Sequence, residues 1–160
     1  MKIEILKSSH NKKSFNCAQE DLNLFIKKYA SQHQRSGTSK TYVALDHEDN
    51  VIGFYCLSST SINFELVNEE FTKRLPRYPL PSIVIGRFAV DISMQGQGIG
   101  KYLLAHALRQ IANVSQMIGV NFVVIHAKDQ KAANFYQRFG FIALSSNPLT
   151  LIYPVKQIPS

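Results

Sequence analysis

The stretch Gln95-Gly96-Gln97-Gly98-Ile99-Gly100 constrains this chain more than any other. It follows the apolar run Ile83-Val84-Ile85-Gly86-Arg87-Phe88-Ala89-Val90-Asp91 and leads straight into a helix-patterned segment from Lys101 to Ile118. A strand, a glycine turn and a helix start together make an anion site. Glycines let the backbone come close to a phosphate, and the first helical N–H groups point at it with the positive end of the helix dipole behind them. The spacing excludes two common phosphate loops. A P-loop needs Gly-Lys-Ser/Thr, which is absent, and GxGxxG would need glycine where Lys101 stands.

The rest of the chain reads as one compact domain over residues 1–160, with 45% apolar residues to fill a core. No run approaches the roughly 20 apolar residues of a membrane span. Met1-Lys2-Ile3-Glu4-Ile5 alternates and carries an acid, so it reads as a first strand and not a signal peptide. Lys2–Leu6, Thr41–Leu45, Val51–Ser59, Ser82–Val90, Asn121–Ile125, Phe141–Leu144 and Leu149–Tyr153 are the expected strands. A helix is expected to open at Glu20-Asp21, with Leu22, Phe25, Ile26 and Tyr29 on one face, followed by a polar loop over Gln32–Lys40. Phe64–Leu75 is expected to hold a short helix, Gly98–Ile118 a long one and Lys131–Phe139 another. The fold class is α+β, a mixed and mostly antiparallel sheet of six to seven strands flanked by about four helices. Cys17 and Cys56 match no metal spacing and no disulfide framework, and read as buried thiols of a reduced, cytoplasmic protein.

Gln-x-x-Gly-x-Gly after a strand resembles the coenzyme A pyrophosphate loop of the GNAT acetyltransferase superfamily. Ala132-Ala133-Asn134-Phe135-Tyr136-Gln137-Arg138-Phe139-Gly140-Phe141 resembles the superfamily's downstream helix and strand. The resemblance implies acetyl-CoA as cofactor, held by Gln95, Gly96, Gln97, Gly98, Ile99, Gly100 and Lys101. It implies Phe88, Ala89 and Val90 as backbone partners of the pantetheine arm, with an N–H of Val90 facing the developing oxyanion. It also places Asn134 against that arm and Tyr136 as general acid. The phenol chemistry agrees, since a group with a pKa of about 10 is protonated at neutral pH and can give its proton to a thiolate. On the helix Phe135 and Phe139 look like the core pair, which leaves Tyr136 to face the cofactor. A plain packing role is the other reading of Tyr136. No metal is expected.

Between Ser82 and Gly100 the only carboxylate is Asp91, so no general base stands out. His106 and His126 qualify by chemistry only. A lysine substrate, with a pKa of about 10.4, needs help in losing a proton, whereas an α-amine near about 8 needs little. The missing base therefore favours an α-amine. Charge adds a second clue: 18 Lys and Arg face 11 acids, for a net charge of +7. From Ile92 onward Asp129 is the only acid, against Lys101, Arg109, Lys128, Lys131, Arg138 and Lys156. Such a balance suits a polyanionic partner.

Phe15-Asn16-Cys17, followed by Leu22, Phe25 and Ile26, resembles the opening of the acetyltransferase toxins of bacterial toxin–antitoxin modules. Ile52-Gly53-Phe54-Tyr55-Cys56-Leu57-Ser58, Pro79-Leu80-Pro81 and Ile125-His126-Ala127-Lys128-Asp129 extend the likeness over nearly the whole chain. The departures are Phe88, where leucine is common, and a short, variable end from Ile142. This resemblance implies transfer of acetyl to the α-amino group of aminoacyl-tRNA. It also implies neutralisation by a ribbon-helix-helix antitoxin, and a homodimer. Arg35, Lys40, Arg74, Arg77 and Arg87 are the expected tRNA contacts. Arg87 alternates with Phe88 on the strand, so a structural cation is its other reading. Two further functions stay open: an acetyltransferase for protein N-termini or small amines, and a non-catalytic coenzyme A-binding protein.

Overall fold

The computed structural model describes residues 1–160. One sheet runs in the order β1-β2-β3-β4-β5-β7-β6. Its strands are β1 (Lys2–Ile5), β2 (Lys40–Leu45), β3 (Val51–Ile62), β4 (Leu80–Val90), β5 (Phe122–His126), β6 (Ile142–Leu144) and β7 (Asn147–Pro154). The helices are α1 (Glu20–Leu24), α2 (Ala30–Ser36), α3 (Ile99–Ser115) and α4 (Gln130–Gln137). The pattern matches the expected mixed sheet of seven strands. By Cα proximity the chain divides into two compact units, residues 1–58 with 85–108 and residues 59–84 with 109–160.

In the first unit β1 and β3 both run antiparallel to β2. The β2–β3 turn closes on Asp46, whose Oδ1 accepts from the N–H groups of Glu48 and Asn50, both at 2.9 Å. Phe15, Ile26, Val43, Leu45, Phe54 and Cys56 fill the core beneath α1. Phe54 meets Phe15 edge-on at 5.4 Å and stacks on Phe25 at 6.2 Å. A π-helical turn, Phe25–Tyr29, joins α1 to α2 without a break, so the rod runs on to Ser36. The expected polar loop Gln32–Lys40 is therefore mostly helix, closed by Gly37 at φ 80°. Its inward contacts are polar, which hid the helical period. Gln34 donates from Nε2 to Leu6 C=O and accepts at Oε1 from Thr41 N–H, both at 3.0 Å.

Gly53 of β3 packs directly against α3. A Cβ there would sit 2.9 Å from Leu103 Cδ1 and 3.2 Å from Ala89 C=O. Gly53→Ala is expected to destabilise the protein by about 1–3 kcal/mol, the usual cost of an inserted carbon in a packed interior. Thermal or urea unfolding measures it, and an unchanged midpoint refutes it.

Both cysteines are buried and free. Burial, opposed by the 3.3 Å contact with Thr41 Oγ1, pushes the Cys56 thiol up to about 11. Burial also raises the Cys17 thiol. The thiolate is the reactive form, so native protein at neutral pH is expected to resist iodoacetamide and to be alkylated at both positions only after denaturation. Mass spectrometry reads the outcome, and fast native labelling contradicts it.

In the second unit Ser82–Val84 of β4 pair in parallel with Phe122–Val124 of β5, and β7 runs antiparallel to β5 and β6. Ile62, Leu80, Phe122, Val124, Leu144 and Ile152 form its core. The helix expected in Phe64–Leu75 is absent. Two 3-10 turns, Phe64–Leu66 and Glu69–Phe71, stand there instead. Asn63 supplies its side chain to Glu65 N–H, and such short polar caps favour a turn over helix propagation. No helix is long and apolar enough to cross a membrane.

Candidate active site

The glycine loop is built entirely within the first unit. Asp91 leaves β4 and caps the 3-10 turn Ile92–Met94. Its Oδ1 accepts from Ser93 N–H at 2.9 Å and from the Ser93 hydroxyl at 2.7 Å, and its Oδ2 accepts from Asn16 N–H at 3.0 Å. Ile92 N–H donates to Asn16 C=O at 2.8 Å. Burial, the largest single influence on Asp91, raises its pKa. The hydrogen bonds together outweigh it and hold the carboxyl below its usual range.

The network continues into α1. Asn16 Oδ1 accepts from Ala18 N–H at 2.9 Å and from Asn23 Nδ2 at 3.1 Å, and the buried Asn23 accepts from Cys17 N–H at 2.9 Å. Ala18 is held at φ 69°, a left-handed conformation costly for a side chain with a Cβ. Asp91, Asn16 and Asn23 thus tie the start of α1 to the base of the glycine loop. Sequence reasoning noted Asp91 only as a lone carboxylate and passed over both asparagines. The available signal was Asn16 two residues before a turn, where an Asx side chain bonds the backbone ahead of it.

Beyond the clamp, Gly96 and Gly98 take φ of 78° and 83°. A Cβ would meet nothing within 4 Å at either, so the backbone conformation, not crowding, demands glycine. Gly100 already lies in the first turn of α3. The glutamines fold back as braces. Gln95 Nε2 donates to Val90 C=O at 3.0 Å and Gln97 Nε2 to Ser93 C=O at 3.3 Å. Tyr102 N–H donates to Gly98 C=O at 3.2 Å, and the N–H groups ahead of it in the turn are the orphan donors of a helix start. With the exposed ammonium of Lys101 beside them, these donors fit a diphosphate. Just upstream Arg87 stands at φ 46°, which turns the strand locally before Phe88, Ala89 and Val90. Ala89 is buried, and Phe88 and Val90 are half-buried.

In the second unit Asp129 caps α4, accepting from Ala132 N–H at 2.8 Å. The sequence expectation for this helix is corrected in one respect. Ala133 and Tyr136 are its buried residues, while Phe135 and Phe139 are half-buried and meet edge-on at 5.1 Å. The Tyr136 ring lies 5.2 Å from Phe135 and 6.0 Å from Phe141. Burial raises the Tyr136 pKa far above that of an ordinary phenol. Asn134 is exposed and accepts from Gln130 Nε2 at 2.8 Å.

The two histidines are held locally. His106 Nδ1 lies 2.7 Å from the Tyr55 hydroxyl, and His126 Nδ1 lies 3.2 Å from Thr150 Oγ1. The expected tRNA contacts are all exposed and fall in both units. Arg35, Lys40 and Arg87 belong to the first, and Arg74 and Arg77 to the second. Arg87 keeps its charge at the surface while its guanidinium stacks 4.1 Å over the Phe25 ring. Arg77 lies 5.5 Å over Phe64. Arg74 lines a cleft of about 480 Å³ with Lys73, Asn121 and Lys156.

Residues 37–143 match the acetyltransferase (GNAT) domain family. A tRNA-acetylating toxin of Mycobacterium tuberculosis is 30% identical over 143 residues, covering 89% of this chain and 85% of that protein. Among solved structures, AtaT complexed with acetyl-methionyl-tRNAfMet superposes with a TM-score of 0.92 at 31% identity, covering 98% of this chain and 96% of the other. A tyrosine-to-phenylalanine mutant of AtaT, bound to the C-terminus of the antitoxin AtaR and acetyl-CoA, gives 0.83 at 30% identity, with coverage of 98% and 94%.

Proposed function

The chain belongs to the GNAT acetyltransferase family, an N-acetyltransferase that uses acetyl-CoA, and we propose that it is a toxin acetylating the α-amino group of aminoacyl-tRNA. The observation that carries this reading is the match along 98% of the chain to AtaT in complex with an acetylated aminoacyl-tRNA. A tRNA so capped offers no free amine for peptide-bond formation, so translation stops. Its antagonist would be an antitoxin protein of the ribbon-helix-helix type. The toxin would act as a cytoplasmic homodimer, each copy a single domain over residues 1–160.

Acetyl-CoA supplies an acyl group as a thioester. The N–H groups of the Gln95–Gly100 turn and the Lys101 ammonium bind its diphosphate. The backbone of Phe88–Val90 and the Asn134 side chain orient the pantetheine arm. Val90 N–H is the donor for the carbonyl oxygen as charge grows on it. The amine attacks as the free base, its nitrogen bonds to the acetyl carbon, and the carbon–sulfur bond breaks. Tyr136 gives its phenolic proton to the departing sulfur, and the nitrogen loses its extra proton to water. An α-amine with a pKa of about 8, lowered further by the adjacent ester, holds a usable free-base fraction near neutral pH, so the absence of a dedicated base is consistent with this substrate. Arg35, Lys40, Arg74, Arg77 and Arg87 are proposed phosphate contacts.

The test is acetyl transfer from labelled acetyl-CoA to charged and uncharged tRNA. Label on charged tRNA alone is expected. Label on neither, with acetyl-CoA bound, would leave the enzyme without this substrate.

A further inference from the structure

The geometry points to a separate contact surface for the RNA body on Lys12, Lys13 and Lys27, all within the first unit. This surface rests on the reading that a charged tRNA is the substrate. A cleft of about 450 Å³ is lined by Ser8, His10, Asn11, Lys12, Lys13 and Lys27. Half of that lining is cationic and none of it is acidic.

The neighbouring acids are committed elsewhere. Glu4 pairs with His10 at 2.7 Å and with Lys7 at 4.0 Å, and Asp49 pairs with Lys2 at 3.5 Å. Lys12, Lys13 and Lys27 take part in none of these pairs. The buried His10 ring accepts from Lys7 N–H at Nδ1 at 3.0 Å, so it is Nε2 that donates to Glu4. The charge presented to the cleft is that of the lysines.

The backbone beneath them is fixed. Asn11 N–H donates to Asp49 C=O and Val51 N–H to Asn11 C=O, both at 2.9 Å. Asn11 Nδ2 donates to Asn50 Oδ1 at 2.7 Å, Lys13 N–H to Asn11 Oδ1 at 3.1 Å, and Phe15 N–H to Lys12 C=O at 3.2 Å. Phe15 is fully buried and anchors the downstream end. Across the cleft, Lys27 stands in the π turn Phe25–Tyr29, whose Phe25 and Ile26 are core residues. A π turn inside a helix frequently marks a functional position. Here it leaves Lys27, Lys28 and Tyr29 exposed together.

A cleft of this composition suits a phosphodiester backbone better than a protein. Protein interfaces need a desolvated apolar or aromatic centre, and none of the six lining residues supplies one. Nucleic-acid interfaces are polar, wet and strongly basic. A pinned loop opposite a helix presents the three ammonium groups to phosphates without a backbone ordering cost.

The test uses the full chain and deacylated tRNA, so that binding is read apart from catalysis. The variant carries Lys12→Gln, Lys13→Gln and Lys27→Gln. A control with Lys128→Gln, Lys131→Gln and Lys156→Gln removes the same charge elsewhere. Affinity is measured across a salt series. Each phosphate contact contributes nearly one unit to the slope of log K against log salt. The first variant should therefore flatten that slope by about two to three units and bind about tenfold or more weakly at low salt. Its melting temperature and acetyl-CoA affinity should be unchanged. A slope equal to that of wild type or of the control overturns the proposal. So does lost binding of poly-L-glutamate with tRNA binding intact, which would assign the cleft to an acidic protein. Acetylation separates the underlying reading: a wild type that binds tRNA through these lysines but acetylates none refutes the substrate and leaves the surface standing.

Discussion

Tyr136→Phe is expected to lower kcat by about 10²- to 10⁴-fold, the usual worth of a positioned proton donor, with acetyl-CoA affinity nearly unchanged. The substitution removes one oxygen from a buried ring and keeps its contacts with Phe135 and Phe141. Because burial raises the Tyr136 pKa, the phenol stays protonated well past the usual tyrosine range. An alkaline loss of rate centred on an ordinary phenol should therefore be missing from the wild-type pH profile. Single-turnover acetylation, with calorimetry for acetyl-CoA, separates the two effects. Unchanged turnover in the variant removes Tyr136 from the chemistry, and equal losses in turnover and affinity make it a packing residue.

Asp91→Ala is the second large effect. It strands Asn16 N–H, Ser93 N–H and the Ser93 hydroxyl, which the carboxylate holds at 3.0, 2.9 and 2.7 Å. Hydrogen bonds to a charged acceptor are worth about 1.5–3 kcal/mol each when shielded, and less here because water reaches the site. A net loss of about 1–2 kcal/mol at the loop converts to roughly a five- to thirtyfold weaker grip on acetyl-CoA. kcat at saturating acetyl-CoA should fall much less, because the reacting groups are untouched. Asp91→Asn keeps one carbonyl oxygen and should lie between wild type and Asp91→Ala. A uniform drop in kcat at fixed KM would contradict a positioning role. The pH dependence has a definite sign. The folded pKa lies below the ordinary value of about 3.9. The clamp's contribution is therefore complete above that value and is lost as pH falls through the lowered pKa.

The glycine loop was legible because glycine takes the positive φ of Gly96 and Gly98 at little cost, and a strand and a helix flank it in order. Tyr136 was legible by type but not by orientation. Phe135 and Phe139 sit four apart and outweigh Ala133 in hydrophobicity, yet the small Ala133 and the larger Tyr136 are the pair that pack inward. Helix α2 escaped because, beyond the buried Ala30, it is tied to the chain around β2 through the amide of Gln34, which no hydrophobic period records. The Asp91–Asn16–Asn23 clamp joins residues 75 apart in the chain, and no local pattern announces such a bond. The cationic cleft was invisible for the same reason, since Lys13 and Lys27 come to line one cleft only in the folded chain.

The π turn at Phe25–Tyr29 holds one residue more than an ordinary helical turn would. Deleting one residue there would restore ordinary 3.6-residue winding, which advances each position by about 100°. The helix on either side would keep nearly its present facing, because the wider π turn takes one more residue than an α turn for almost the same rotation. What would go is one member of the outward bulge that Lys27, Lys28 and Tyr29 form, so a polyanion would find a sparser track along an otherwise unturned rod.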